Sequence, residues 1–134
     1  MRQTFRKEER LCSKKIIEAL FEGGSSLTVY PFRLVWLETE LKTKYPVQIT
    51  ISVSKKKNAK AVDRNKIKRQ IREGYRKNKN ILYEYLYNKD KQYAMALIYT
   101  AKDKIEFSAK GGKVIESKII LTLQRFIEIN ESRT

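Results

Sequence analysis

Between Lys55 and Lys79, twelve lysines and arginines stand against two acids, Asp63 and Glu73, for a local charge of +10. Through the same stretch Ile67, Ile71, Gly74 and Tyr75 recur at helical spacing and, at about 100° per residue, share one narrow arc. Asn65, Lys68, Arg69, Arg72 and Arg76 share another. The segment is predicted to be a helix that docks by a thin apolar stripe and turns a row of cations outward. Like charges three and four residues apart oppose helix formation by about 0.2–0.5 kcal/mol per pair. A merely solvated face explains that arrangement poorly, whereas a polyanionic partner explains it well. Gly74, which costs about 1 kcal/mol of helix propensity relative to alanine, marks either close backbone packing on the docked side or a plain weak spot in the helix.

The remaining residues bound the answer. The chain has 134 residues and a net charge of +15, enough for one compact domain spanning 1–134, with residues 1–12 as a basic, partly flexible arm. Histidine is absent, which excludes two-histidine ribonuclease chemistry, histidine-activated nucleophiles and histidine-rich zinc sites. One cysteine, Cys12, leaves neither a disulfide nor a zinc ribbon to build and fits a reducing compartment. The charged first ten residues do not resemble a signal peptide, and no apolar run approaches the roughly 20 residues of a membrane span. A cytoplasmic location is expected.

Ser13 is placed to cap a helix carrying Ile16, Ile17, Leu20 and Phe21 on one stripe, with Gly23-Gly24 as its stop. Tyr30 to Leu37 reads as a strand in which Phe32, Leu34 and Trp36 oppose Arg33, Val35 and Leu37, both faces partly buried. Val47, Ile49, Ile51 and Val53 alternate with Gln48, Thr50, Ser52 and Ser54, giving a strand with one core face and one polar face. Tyr83, Tyr85 and Tyr87 are read as packing or loop residues before a buried strand from Tyr93 to Tyr99. Ile115, Ile119, Thr122 and Phe126 mark a closing helix over Val114 to Ile129.

Ser54-Lys55-Lys56, followed by the run from Arg64 to Glu73 (RNKIKRQIRE), resembles the signature of the bacterial ribonuclease P protein subunit. Arg10-Leu11, the helix ending in Phe21 and Gly23-Gly24, the Phe32 to Leu37 strand and the closing helix fall where that family places them, so the resemblance covers nearly the whole chain. It implies a two-layer α/β (α+β) sandwich: about four strands and three helices in the order α-β-β-β-α-β-α, with a left-handed βαβ crossover contrary to the usual hand.

The resemblance also implies a role as the RNA-binding subunit of a ribonucleoprotein endoribonuclease. In that family a catalytic RNA holds the Mg²⁺ ions and removes the 5′ leader of precursor tRNA by hydrolysis, and the protein supplies binding and no catalytic residue. Its partners would be that RNA and the leader, with no membrane and no protein partner required. Carried over, Lys55, Lys56, Lys57, Lys60, Arg64, Asn65, Lys66, Lys68, Arg69, Arg72 and Arg76 would bind RNA. Phe21, Phe32, Ile17 and Arg10 would line the leader cleft, although Phe21, Phe32 and Trp36 stand at spacings that equally suit core residues, and Asn65 is the sole candidate for touching a metal. Lys66 stands where the family usually has arginine, Lys57 to Val62 resembles the longer form of a loop, and Ile17 replaces an aromatic. A general or ribosomal RNA-binding module without a cleavage role is the alternative. A free-standing metal nuclease is disfavoured by the lack of clustered carboxylates in the sequence.

Overall fold

The computed structural model describes residues 4–54, 60–101 and 112–133. A 3₁₀ turn (Lys7–Glu9) leads to α1 (Lys14–Gly23), β1 (Ser25–Val29), β2 (Phe32–Glu38), β3 (Val47–Val53), α2 (Ala61–Asn78), α3 (Asn80–Tyr87), β4 (Tyr93–Tyr99) and α4 (Gly112–Ser132). The four strands form one sheet in the order β1-β2-β4-β3. β1 and β2 pair antiparallel, as do β2 and β4, whereas β3 and β4 are parallel with Val47 opposite Tyr93 and Val53 opposite Tyr99. The α2–α3 connection is the crossover that this parallel pair requires.

Strand alternation sends the two rows of the sheet into two cores. Phe32, Leu34 and Trp36 of β2, Val47, Ile49 and Val53 of β3, and Tyr93, Met95, Leu97 and Tyr99 of β4 pack with Ile67, Ile71 and Tyr75 of α2 and Ile115, Ile119, Leu123 and Phe126 of α4. Val35, Ala94 and Ala96 face the other way, onto Leu20, Ile16 and Ile17 of α1. The side chains of Ala94 and Ala96 are short enough to let α1 approach closely. Phe126 takes Trp36 and Tyr93 edge-on, with centroids 5.2 and 5.5 Å away.

Two glycines are set by contact. A Cβ at Gly74 would stand 2.9 Å from Ile119 Cδ1, so α2 lies on α4 at the distance that the glycine anticipates. A Cβ at Gly24, the C-cap of α1, would stand 2.4 Å from the Leu20 carbonyl oxygen and 2.9 Å from that of Trp36.

Two expectations, on the tyrosine-rich stretch and on Phe32, are revised. The tyrosine-rich stretch is a helix, α3, making four helices among the described residues and the order α-β-β-β-α-α-β-α for them. The period-two spacing of Tyr83, Tyr85 and Tyr87 conceals a helical set, Leu82, Tyr83 and Leu86, that is the buried one. The arm is docked from Thr4 onward: the Leu11 amide donates to the Ile49 carbonyl at 3.0 Å, Gln48 Nε2 donates to the Glu8 carbonyl at 2.9 Å, and Glu9 is fully buried. Phe32, expected in a cleft beside Phe21, is fully buried on the α2–α4 side, edge-on to Tyr99 at 5.8 Å. It shares a sheet face with Trp36 because the two lie four residues apart on one strand.

Candidate nucleic-acid interface

Helix α2 divides by its period. Ile67, Ile71, Gly74 and Tyr75 are buried, and Asn65, Lys66, Arg69 and Arg72 are exposed, with Arg64, Lys68 and Arg76 half-buried along the flanks. Lys60 is exposed at the N-cap, while Lys55, Lys56 and Lys57 lie outside the described residues. Arg76 engages Glu73 through both arms of its guanidinium, Nη2 at 2.5 Å and Nε at 3.2 Å. The Arg76 hydrogen bond and charge hold the Glu73 carboxyl below its usual range. Asp63 in the first turn and Arg76 and Lys77 in the last complement the helix dipole. Asn78 Nδ2 donates to the Gly74 carbonyl at 2.8 Å and to Glu116 Oε2 at 2.7 Å, fastening the end of α2 to α4.

Lys79 is not part of the row. It closes α2, and its ammonium is buried against Glu9 and the Thr4 carbonyl. One of the twelve cations counted in the segment therefore balances an internal acid instead of facing solvent.

At the free edge of β3 the arm brings a second cation to α2. Arg10 bridges to Ile49, its guanidinium carbon lies 5.2 Å from the Phe5 ring centroid, and Phe5 meets Tyr75 edge-on at 5.6 Å. Arg10 and Arg72, sixty-two positions apart in the chain, line one groove of about 280 Å³ floored by Ile49, Thr50 and Ile51. The groove connects the cation row of α2 to the opposite sheet face.

On that face, Ser13 Oγ accepts the Ile16 amide at 3.3 Å to start α1, and Leu20 is buried beneath the helix. Ile17 is half-buried against the sheet, and the Phe21 ring is 52% exposed. α1 packs on β2 and β4, and the neighbouring β3 row of Gln48, Thr50 and Ser52 ranges from half-buried to exposed. Arg33 is exposed in the same row of β2 as Val35. The sequence reading assigned Arg33 to that row without selecting it as a site residue. A cation in an otherwise apolar row, beside Val35 and Leu37, was the available signal. Lys14 and Lys15, both exposed in the first turn of α1, add positive charge where the helix dipole already has its positive end.

The arrangement thus offers a cation row, an edge groove and an open face carrying the exposed Phe21 ring, a combination suited to phosphates and unpaired bases. The family model described as Ribonuclease P matches residues 5–110. The chain belongs to the ribonuclease P protein family. A ribonuclease P protein component from Porphyromonas gingivalis is 34% identical over 102 residues, covering 75% of this chain and 74% of that one. One from Chlorobium phaeobacteroides is 39% identical over 83 residues, 60% of this chain and 57% of that one. The solved structure of the ribonuclease P protein from Thermotoga maritima superposes with a TM-score of 0.68 at 27% identity, covering 87% of this chain and 96% of that one. As a ribonuclease P protein, the chain is an RNA-binding subunit of ribonuclease P, and the reading as a general RNA-binding module is not favoured.

Among the described residues no helix is long and apolar enough to cross a membrane, and no three acids or cysteines converge as a metal set. Asn65 presents a lone amide oxygen beside Lys66 and Arg69, whereas a protein-bound Mg²⁺ keeps several waters and is anchored by one or two carboxylates or phosphates. The residues around Asn65 do not fit a protein-held Mg²⁺ ion.

Proposed function

We propose that this protein assists a catalytic RNA in the Mg²⁺-dependent removal of the 5′ leader from precursor tRNA, supplying binding energy and no nucleophile. In this reading α2 faces the catalytic RNA through Arg64, Asn65, Lys66, Lys68, Arg69, Arg72 and Arg76, with Lys60 at its entry. Arg10, Ile17 and Phe21 face the leader, and Arg33 joins them. Lys55, Lys56 and Lys57 extend the RNA-binding set in the same reading. The ions are held by the RNA's own phosphates, and the protein works in the cytoplasm.

The observation that carries this reading is the division of α2 into a buried apolar arc and an exposed row of Lys66, Arg69 and Arg72. Catalytic RNA and precursor tRNA repel one another, and a protein of charge +15 between them lowers that repulsion and the demand for Mg²⁺. Leader contacts to backbone and to stacked bases would tolerate sequence differences among tRNAs.

The test is cleavage of a 5′-extended precursor tRNA by a bacterial ribonuclease P RNA at low Mg²⁺, with protein, without it, and with protein alone. Stimulation that depends on the RNA is expected. Cleavage by protein alone, or binding without stimulation, would overturn the proposal.

A further inference from the structure

At the end of the molecule away from the α2 N-terminus lies a cavity of about 330 Å³ that the sites above leave unused. Its walls combine Tyr45, Tyr83 and Tyr87 with Arg6, Lys44 and Lys79, drawn from the arm, the β2–β3 connection, the end of α2 and α3. Tyr83 and Lys79 are buried and form the floor, whereas Arg6, Lys44 and Tyr87 are exposed at the mouth. Tyr83 is held in place by its hydroxyl, which donates to Glu9 Oε1 at 2.7 Å. Tyr45 lies 6.0 Å from Tyr83 at an interplanar angle of 36°, and Tyr87 meets Tyr83 edge-on at 6.1 Å. Lys44 Nζ stands 5.6 Å from the Tyr45 ring centroid.

We infer that this cavity is an accessory site for one unpaired nucleotide of RNA, with the base against Tyr87 and Tyr45 and the phosphate between Arg6 and Lys44. The inference rests on the reading of the chain as an RNA-binding subunit and extends it to a surface outside the cation row and the α1 face. Three features single out a nucleotide. Lys79 is matched to Glu9, but Arg6 and Lys44 have no carboxylate partner among the described residues. Tyr87 keeps half its surface in water, 51%, an arrangement that packing alone does not require and that a stacking base would cover. The volume lies at the small end of the range for ligand sites, about 300–1,000 Å³, which suits a single nucleotide better than a duplex. A neighbouring cavity shares Lys44 and Tyr87 but carries Glu38, Glu40 and Asp90. Lys91 in its wall is paired with Glu38, so the neighbouring cavity carries mixed charge and is the poorer phosphate site of the two.

The test uses the full chain with ring-labelled tyrosine and a five-nucleotide oligouridylate, followed by nuclear magnetic resonance. Saturable shifts of the Tyr45 and Tyr87 ring signals are expected. Affinity read at Tyr45 should fall about tenfold in Tyr87→Leu and stay near wild type in Tyr87→Phe, since stacking is lost in the first and kept in the second. Arg6→Gln with Lys44→Gln should weaken binding and flatten its salt dependence. Unmoved Tyr45 and Tyr87 signals, equal affinity in Tyr87→Leu, or the same shifts with inorganic phosphate alone would each overturn the site. Stimulation of precursor cleavage by the wild-type protein is measured separately, so loss of this site and loss of the subunit reading give different results.

Discussion

Glu9 and Lys79 form an ion pair in which both side chains are removed from water, the first on the N-terminal arm and the second at the junction of α2 and α3. Both carboxylate oxygens are engaged: one also accepts the Tyr83 hydroxyl at 2.7 Å, and the other accepts the Arg6 amide at 2.7 Å. This contact anchors the arm, and through it Arg10, to the helix that carries the cation row. Lys79→Met would leave a buried carboxylate without its cation and is expected to destabilise the fold by about 3–5 kcal/mol in urea titration. Glu9→Leu combined with Lys79→Met should recover most of that loss, since a well-packed apolar pair leaves no charge unmatched.

Tyr75 and Tyr83 carry the same cluster into alkaline pH. Burial first, then the Glu9 charge on Tyr75 and the neighbouring Tyr75 and Glu9 on Tyr83, push both hydroxyls well above the ordinary tyrosine range. Both stay protonated in the folded protein where the unfolded chain would ionise, so their stabilising contribution is complete below about pH 10 and is lost as pH rises beyond it. Phenolate absorbance should show these two tyrosines ionising together with unfolding. Their ionisation in a still-folded protein would contradict the prediction.

Phe21 and Phe32 should separate function from stability. Phe32→Ala removes a fully buried ring and is expected to cost about 3–5 kcal/mol. Phe21→Ala should leave thermal unfolding nearly unchanged and weaken leader-dependent binding about fivefold or more, by loss of a stacking surface. A precursor tRNA with and without its leader, compared in binding, distinguishes the two effects.

Arg72 faces outward beside the groove it shares with Arg10. Arg72→Gln should weaken binding to ribonuclease P RNA and reduce the slope of log K against log salt by about 0.7–0.9, the release of one counterion's worth. An unchanged slope would place Arg72 off the RNA.

Gly24 ends α1 against two carbonyl oxygens. Gly24→Ala forces backbone to move and should destabilise by about 1–3 kcal/mol, with leader-dependent binding altered through the displaced α1. Thermal unfolding and the leader comparison above provide the readouts.

Much of this architecture was legible from local pattern. Period 3.6 separated Ile67, Ile71 and Tyr75 from Arg69 and Arg72, and period 2 separated Phe32, Leu34 and Trp36 from Arg33, Val35 and Leu37. Gly74 was readable as a point of close backbone packing, although only the fold shows that α4, through Ile119, is what it meets. Helix α3 was missed because its tyrosines read as packing or loop residues, while its buried set, Leu82, Tyr83 and Leu86, follows helical spacing.

By itself, then, the sequence determined which residues share a face, because that follows from backbone geometry within one element. Tertiary structure decided which face is covered and by what. Phe32 is enclosed because α2 and α4 both settle on its side of the sheet, while the shorter helix α1 packs on the other. Lys79 is buried because an acid seventy positions earlier docks beside it, and the two meet only when the arm lies along β3. Burial is a property of neighbours brought together across the chain, and no count of charges within one segment contains it.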